Sequence, residues 1–243
     1  MNIEGAVIII TGASSGIGEA TARAAARAGA RPVLLARRED RIAHLAEELG
    51  DALAVPCDVT DKAQVADAVQ SANYKYGRID VLINNAGQGL EAAVEDICIE
   101  DFRDLLDVNL VAPLIMMQAV IPLMRVQGGG SIVNVSSGIT FFPRPLSGAY
   151  NSSKAGLNML SSVARAELAE KGIVVSTMLP FVTTTEFYDA LKAGSAVAKK
   201  EAEASASFAH TPDRVAEKIL DLIKSGCDRA DLVPQRFGGS LAE

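Results

Sequence analysis

Ala6-Val7-Ile8-Ile9-Ile10 is an unbroken apolar run that opens straight into the glycine-rich turn Thr11-Gly12-Ala13-Ser14-Ser15-Gly16-Ile17-Gly18. A strand with no polar face needs cover on both sides, the habit of strands in parallel sheets. From Gly16 the pattern turns helical and closes at Gly29, a residue suited to a helix end. The alternation continues. Val33-Leu34-Leu35 reads as a second strand and Arg38 to Leu49 as a second helix. Leu53-Ala54-Val55 and Ile79-Asp80-Val81-Leu82-Ile83 add strands on either side of a helix from about Asp61 to Tyr76. Ile132-Val133-Asn134-Val135, Ile173-Val174-Val175-Ser176 and Asp231-Leu232-Val233 complete the series. Such regular alternation predicts an α/β fold, a doubly wound parallel sheet with helices on both faces.

At 243 residues the chain is of a size at which such sheets form one domain. No Pro/Gly/Ser-rich linker or repeat divides it, so residues 1–243 are expected to form a single domain. The alanine-rich stretch Glu186 to Ala209 breaks the rhythm and is expected to be helical and to cover a substrate. A net charge of −7 argues against a general nucleic-acid binder. Cys57, Cys98 and Cys227 are scattered without a CxxC pair, and His44 and His210 are isolated, which predicts no metal site and a reduced, cytoplasmic setting. A first strand so close to Met1 is expected to leave no room for a signal peptide. Leu110 to Met124, the most apolar long stretch, has 15 residues and includes Pro113, Gln118 and Pro122. A bilayer needs about 20 apolar residues, so this stretch reads as a buried helix and no membrane association is expected.

Gly12, Gly16 and Gly18 fall between the first strand and the first helix, beyond a strand's carboxyl end, where open α/β sheets take their ligands. Glycine there permits a tight turn and close approach of phosphate oxygens to the backbone. The N–H groups of Ser14, Ser15, Gly16, Ile17 and Gly18 then meet pyrophosphate charge at a helix start. A dinucleotide is therefore expected. Arg37 lies 19 residues beyond Gly18, where an NAD site usually offers an acid to the ribose 2′-hydroxyl. Arg37 and Arg38 suit a 2′-phosphate instead, with Ser14 adding a hydroxyl, so NADP(H) is expected over NAD(H).

Tyr150 and Lys154 stand four residues apart, neighbours on a helix whose apolar stripe is Leu157, Leu160, Val163, Ala164 and Leu168. Bringing a phenol from about 10 toward 7 requires about 4 kcal/mol. An ammonium roughly 5 Å away supplies about 3 kcal/mol at an effective dielectric of about 20. Lysine is thus nearly sufficient to tune the tyrosine as a proton donor. Ser137, at the carboxyl end of the strand Ile132 to Val135, would meet that helix in a parallel sheet and could hold a substrate oxygen. Serine-protease chemistry has no support, because neither His44 nor His210 sits in a usable motif and Ser137 lacks a GxSxG setting.

As a set, Thr11 to Gly18 (TGxxxGxG), Asn84 to Gly87 (NNAG), Asn109, Ser137, and Tyr150 with Lys154 resemble the short-chain dehydrogenase/reductase family over nearly the whole chain. The resemblance implies a Rossmann fold with a seven-stranded sheet and NAD(P)(H)-dependent carbonyl reduction or alcohol oxidation. It implies a Ser-Tyr-Lys centre in which Asn109 holds a water linking Lys154 to solvent. By position, Asp58 would bond the adenine amine and Val59 flank its ring. Asn84, Ala86 and Gly87 would line the adenosine ribose side, and Lys154 would also bond the nicotinamide ribose. A homodimer or homotetramer is implied too. One departure stands out: where the family carries PGxVxT, this chain has Pro180-Phe181-Val182-Thr183-Thr184-Thr185. Pro180, Thr183 and Thr185 keep their places near the nicotinamide, but Phe181 must turn away or reshape that pocket.

The expected substrate is a small carbonyl or alcohol. Ile139, Phe141, Phe142, Phe187, Tyr188 and Phe208 suggest an apolar pocket. Two other readings are open: a reductase for 3-oxoacyl thioesters, with Arg125 and Arg144 as candidate phosphate contacts, and a non-enzymatic NADP(H) sensor.

Overall fold

The computed structural model describes residues 1–187, 191 and 209–242. Its strands are β1 (Val7–Thr11), β2 (Arg31–Ala36), β3 (Leu53–Pro56), β4 (Val81–Asn84), β5 (Gly130–Val135), β6 (Ile173–Leu179) and β7 (Arg229–Asp231). They form one seven-stranded sheet in the order β3-β2-β1-β4-β5-β6-β7. Every neighbouring pair is parallel. The chain winds outward from β1 to β3, then returns to the other side of β1 and winds outward again. Between β1 and β4 the order reverses, and a crevice opens beyond their carboxyl ends.

Both faces of β1 are buried, as its apolar run requires. Ile8 and Ile10 join the core under α1 (Gly16–Arg27), α2 (Glu39–Leu49) and α7 (Pro212–Ser225). Val7 and Ile9 join the opposite core, under α3 (Lys62–Tyr76), α5 (Ala112–Val126) and α6 (Gly148–Leu168). Buried Asp80 ties the sheet's leading edge together: its Oδ2 accepts from Val7 N at 2.9 Å and its Oδ1 from Arg78 Nη2 at 2.6 Å.

Several expected bounds move. The first helix ends at Arg27, before Gly29. The last strand lies two residues earlier than its apolar letters suggested, with Leu232 and Val233 buried just beyond it. Leu110 to Met124 is not a helix buried all round. It belongs to a 28-residue helical run, Ile99–Val126, made of α4 (Ile99–Leu106), a π-helical turn (Asp107–Val111) and α5. By length and composition alone this run could cross a membrane. Here Ala112, Met116, Met117, Val120 and Met124 pack on the sheet, while Val111, Leu114 and Val126 are exposed. Val163 of the α6 stripe is exposed as well, on the same side as Met159. The segment from Glu186 to Ala209, with Tyr188 and Phe208, lies outside the described residues except for Glu186, Phe187, Leu191 and Ala209.

Candidate active site

The glycine-rich turn is held from both sides. Thr11 Oγ1 accepts from Asn85 N at 2.9 Å and Ala86 N at 3.0 Å, and Asn85 Nδ2 donates to Thr11 O at 2.9 Å. Gly12 and Gly16 have φ of +67° and +57°, which side chains rarely adopt. Gly18 has no space for one: a Cβ there would lie 2.2 Å from Gly12 O. Helix α1 starts at Gly16 without a cap from the Ser15 side chain. The first-turn N–H groups at Gly16, Ile17 and Gly18 have no partner within the helix, an arrangement that suits an anion such as a pyrophosphate.

Just beyond β2, Arg38 rather than Arg37 meets the serines. Its Nε and Nη2 donate to Ser14 Oγ at 3.0 and 2.9 Å, and Nη2 donates to Ser15 Oγ at 2.7 Å. Arg37 is exposed. Burial works to raise the Asp58 carboxyl, but hydrogen bonds from Thr60 and the charge of Arg37 outweigh it and hold Asp58 below its usual range. Val59 is buried beside Asp58. The Asn84 side chain is turned into the protein, where Nδ2 donates to Asn134 Oδ1 at 2.8 Å and Pro113 O at 3.4 Å. It ties β4 to β5 and stands with Thr11, Val59 and Ala86 around a small hollow beyond the strand ends.

Lys154 is buried at the floor of the crevice, its Nζ donating to Val135 O at 3.0 Å and lying 5.9 Å from the centre of the Tyr150 ring. Burial lowers its pKa to about 8. Asn109, fully buried on the π-helical turn, accepts from Gln88 N at 2.9 Å and donates to Gln88 O at 2.8 Å and Ser153 Oγ at 3.0 Å. Gly87 brings the two together: a Cβ there would lie 3.2 Å from Asn109 Oδ1 and 3.4 Å from Lys154 Nζ. Ser137 follows β5 directly, and its Oγ accepts from Ile139 N at 3.3 Å. The helix carrying Tyr150 is oriented from the same loop, because Asn151 Nδ2 donates to Ile139 O at 2.9 Å and Phe142 O at 3.2 Å.

Phe181 belongs to an aromatic group with Phe237 and Phe142, close to Gly138. Its ring stacks on Phe237 at 5.3 Å, and Phe142 lies 5.3 Å from the same Phe237 ring. Pro180 O accepts from Gly138 N at 2.7 Å, Thr183 pairs with His210, and Thr185 Oγ1 accepts from Phe187 N at 3.2 Å. Thr185 also lies against Gly16, within 3.0 Å of where a Cβ would be. Phe187 sits 5.7 Å from the Tyr150 ring centre and, with Leu191, packs over Gly89.

Of the candidate thioester contacts, Arg144 pairs with buried Glu91. Arg125 lies near the end of α5, which leads into the start of β5, so it occupies the edge of the sheet opposite the crevice. Sequence reading missed Thr11 and Asn85 as locks on the turn, and Gln88 and Ser153 as holders of Asn109. It also missed Glu186, whose carboxylate accepts from Arg38 and Arg41 and is held below its usual pKa by those bonds. Asn85 could have been found from its place inside NNAG; Glu186 has no local signal.

A parallel sheet with a glycine cradle at its switch point, beside a buried lysine and a tyrosine, defines a dinucleotide-dependent oxidoreductase. The profile of the short chain dehydrogenase family matches residues 6–196, and the chain belongs to that family of enzymes. It is 41% identical over 186 residues to an uncharacterised oxidoreductase of Bacillus subtilis, covering 74% of this chain and 72% of the relative. An uncharacterised oxidoreductase of Methylorubrum extorquens is 37% identical over 189 residues, covering 76% and 75%. Among solved structures, the 3-ketoacyl-(acyl-carrier-protein) reductase of Brucella melitensis complexed with NADH superposes with TM-score 0.86 at 30% identity, covering 94% of this chain and 97% of that one. A short-chain dehydrogenase/reductase of Burkholderia phymatum in complex with NAD shares the fold with TM-score 0.91 at 24% identity, covering 98% and 92%.

Proposed function

We propose that this enzyme interconverts a carbonyl and an alcohol on a small molecule, using NADP(H), with Tyr150 as acid and base. The observation that carries the reading is buried Lys154, its ammonium 5.9 Å from the Tyr150 ring at the floor of the crevice. With a pKa of about 8, Lys154 is roughly nine-tenths charged at pH 7 and favours the phenolate. The bound coenzyme supplies or accepts the hydride. Tyr150 gives its hydroxyl proton to the carbonyl oxygen during reduction and takes it back during oxidation. Ser137 holds that oxygen, and Asn109 positions a water through which Lys154 exchanges protons with solvent. Gly12, Ser14, Ser15, Gly16, Ile17 and Gly18 take the pyrophosphate, while Asp58, Val59, Ala86 and Gly87 border the adenosine. Pro180, Thr183 and Thr185 flank the nicotinamide.

The preference for NADP(H) rests on Arg38 held against Ser14 and Ser15, with Arg37 at the rim. Phe187 and Leu191, packed over Gly89 with Phe187 5.7 Å from the Tyr150 ring, support an apolar wall beside the tyrosine. Exposed Val111, Leu114, Met159 and Val163 support a homodimer or homotetramer formed through α5 and α6. A single soluble cytoplasmic domain, without nucleic-acid or membrane partners, agrees with the acidic charge and the scattered free cysteines.

The test is oxidation of NADPH and of NADH across aldehydes, ketones and 3-oxoacyl thioesters. Turnover of a simple ketone or aldehyde with NADPH is expected. Turnover confined to the thioesters would favour the second reading, which the 30% identity to the Brucella reductase supports. Silence with every carbonyl sinks both.

A further inference from the structure

Glu186 stands on the loop after β6, yet its carboxylate crosses to the start of α2. Oε2 accepts from Arg38 Nη1 at 3.0 Å, and Arg41 Nη1 reaches Oε1 at 3.0 Å and Oε2 at 2.9 Å. The rest of the Arg38 guanidinium is turned to Ser14 and Ser15. Serine hydroxyls rotate, so these two can donate as well as accept. Arg38 and the serines thus make a seat for an anion, and a carboxylate from elsewhere in the chain already occupies one side of it. Because Thr185 lies against Gly16, the loop carrying Glu186 is seated on the pyrophosphate turn and the ion pair bridges the groove. The three side chains are 42–52% exposed, and pairs this open contribute little to stability. Folding therefore does not require the bridge.

We propose that Glu186 is a coenzyme-selecting residue, an internal anion that a 2′-phosphate must displace from Arg38 and that a 2′-hydroxyl leaves in place. The inference rests on the reading above that this end of the groove receives the coenzyme's adenosine. Its effect is to narrow the advantage that Arg38 gives NADP(H), because entry of the phosphate both breaks an ion pair and meets a like charge.

Fluorescence titrations of NADPH and NADH with the wild type, E186Q, E186D and R38Q test it. E186Q is expected to tighten NADPH by about three- to tenfold and to move NADH by less than about twofold, as for one charge about 6 Å from a phosphate in water. E186D keeps the charge and should follow the wild type, which loss of a merely structural contact would not do. Salt near 1 M, with a screening length of about 3 Å, should erase the gap between E186Q and the wild type. An E186Q protein that binds NADPH no better, or binds both coenzymes more tightly by the same factor, overturns the inference. R38Q reports separately on the underlying reading: selective loss of NADPH is expected, and equal loss of both coenzymes removes the 2′-phosphate assignment whichever way E186Q falls.

Discussion

Lys154 lies one helical turn beyond Tyr150, with its Nζ 5.9 Å from the tyrosine ring centre and 3.0 Å from Val135 O. The carbonyl of the last residue of β5 thus fixes the ammonium, and the sheet, through that one bond, sets where the cation faces the phenol. An ammonium roughly 5–6 Å from a phenolate oxygen, at an effective dielectric of about 20, attracts it by about 3 kcal/mol.

Holding a cation in such a place costs stability. The pKa of Lys154 falls from 10.5 to about 8 on folding, so between these values the unfolded chain binds more protons than the folded one. The cost is fully present below about pH 8 and fades as pH rises toward the unfolded value. The shift corresponds to about 3 kcal/mol, from which the lost bond to Val135 subtracts about 1 kcal/mol. Lys154→Met is therefore expected to stabilise the protein by about 2 kcal/mol at pH 7 and by much less at pH 10, while turnover disappears. Urea denaturation midpoints at the two pH values check the sign.

Tyr150→Phe removes one oxygen from a half-buried ring whose packing beside Phe187 and Lys154 remains. Turnover should fall by about 10²–10⁴-fold, the usual contribution of a positioned acid, with coenzyme affinity changed only a few-fold. Steady-state rates with the best carbonyl, beside a NADPH titration, measure both. A variant that turns over at the wild-type rate would remove Tyr150 from the chemistry.

Asn134, fully buried in the middle of β5, accepts from Asn84 and donates to Ser161 Oγ at 2.8 Å. Ser161 in turn donates to Leu157 O at 2.7 Å, so a chain of amides and hydroxyls joins two strands to α6. Asn134→Ala leaves both neighbours short of a partner, and an unsatisfied buried group costs about 1–3 kcal/mol. Thermal unfolding should show that loss without a selective effect on coenzyme choice.

What the sequence makes legible here is periodic or local. Ile8, Ile9 and Ile10 announce a strand covered twice, and Gly12, Gly16 and Gly18 mark the turn because their spacing reports a backbone requirement. Tyr150 and Lys154 can be paired because four residues along a helix is a distance in space. Long-range partners leave no such trace: Glu186 reaches Arg38 across 148 positions, and nothing near either residue anticipates it. At Asn84 a motif position says where the backbone runs, whereas the side chain is decided by Asn134 on the neighbouring strand. Arg37 and Arg38 were not separable, since consecutive residues at a strand end point different ways and only the fold decides which one finds Ser14. The outer sides of α5 and α6 misled for a related reason: apolar letters cannot tell a core-facing position from one left bare on the surface.

Two glycines test how much of the cradle is a matter of space. At Gly18, an added Cβ would fall 2.2 Å from Gly12 O and 2.7 Å from Asn85 Nδ2, and neither atom can retreat without opening the turn. Gly77, at the end of α3, has a φ of +74° but nothing within 4 Å of its Cβ position. Gly18→Ala should cost about 3 kcal/mol through overpacking and weaken NADPH binding at least tenfold, because the turn shifts under the pyrophosphate. Gly77→Ala should cost about 1 kcal/mol through backbone strain alone and leave coenzyme binding untouched. Urea denaturation and a NADPH titration on both variants separate the two costs. Equal losses in stability, or a Gly18→Ala protein that binds NADPH normally, would mean that the helix start does not hold the pyrophosphate.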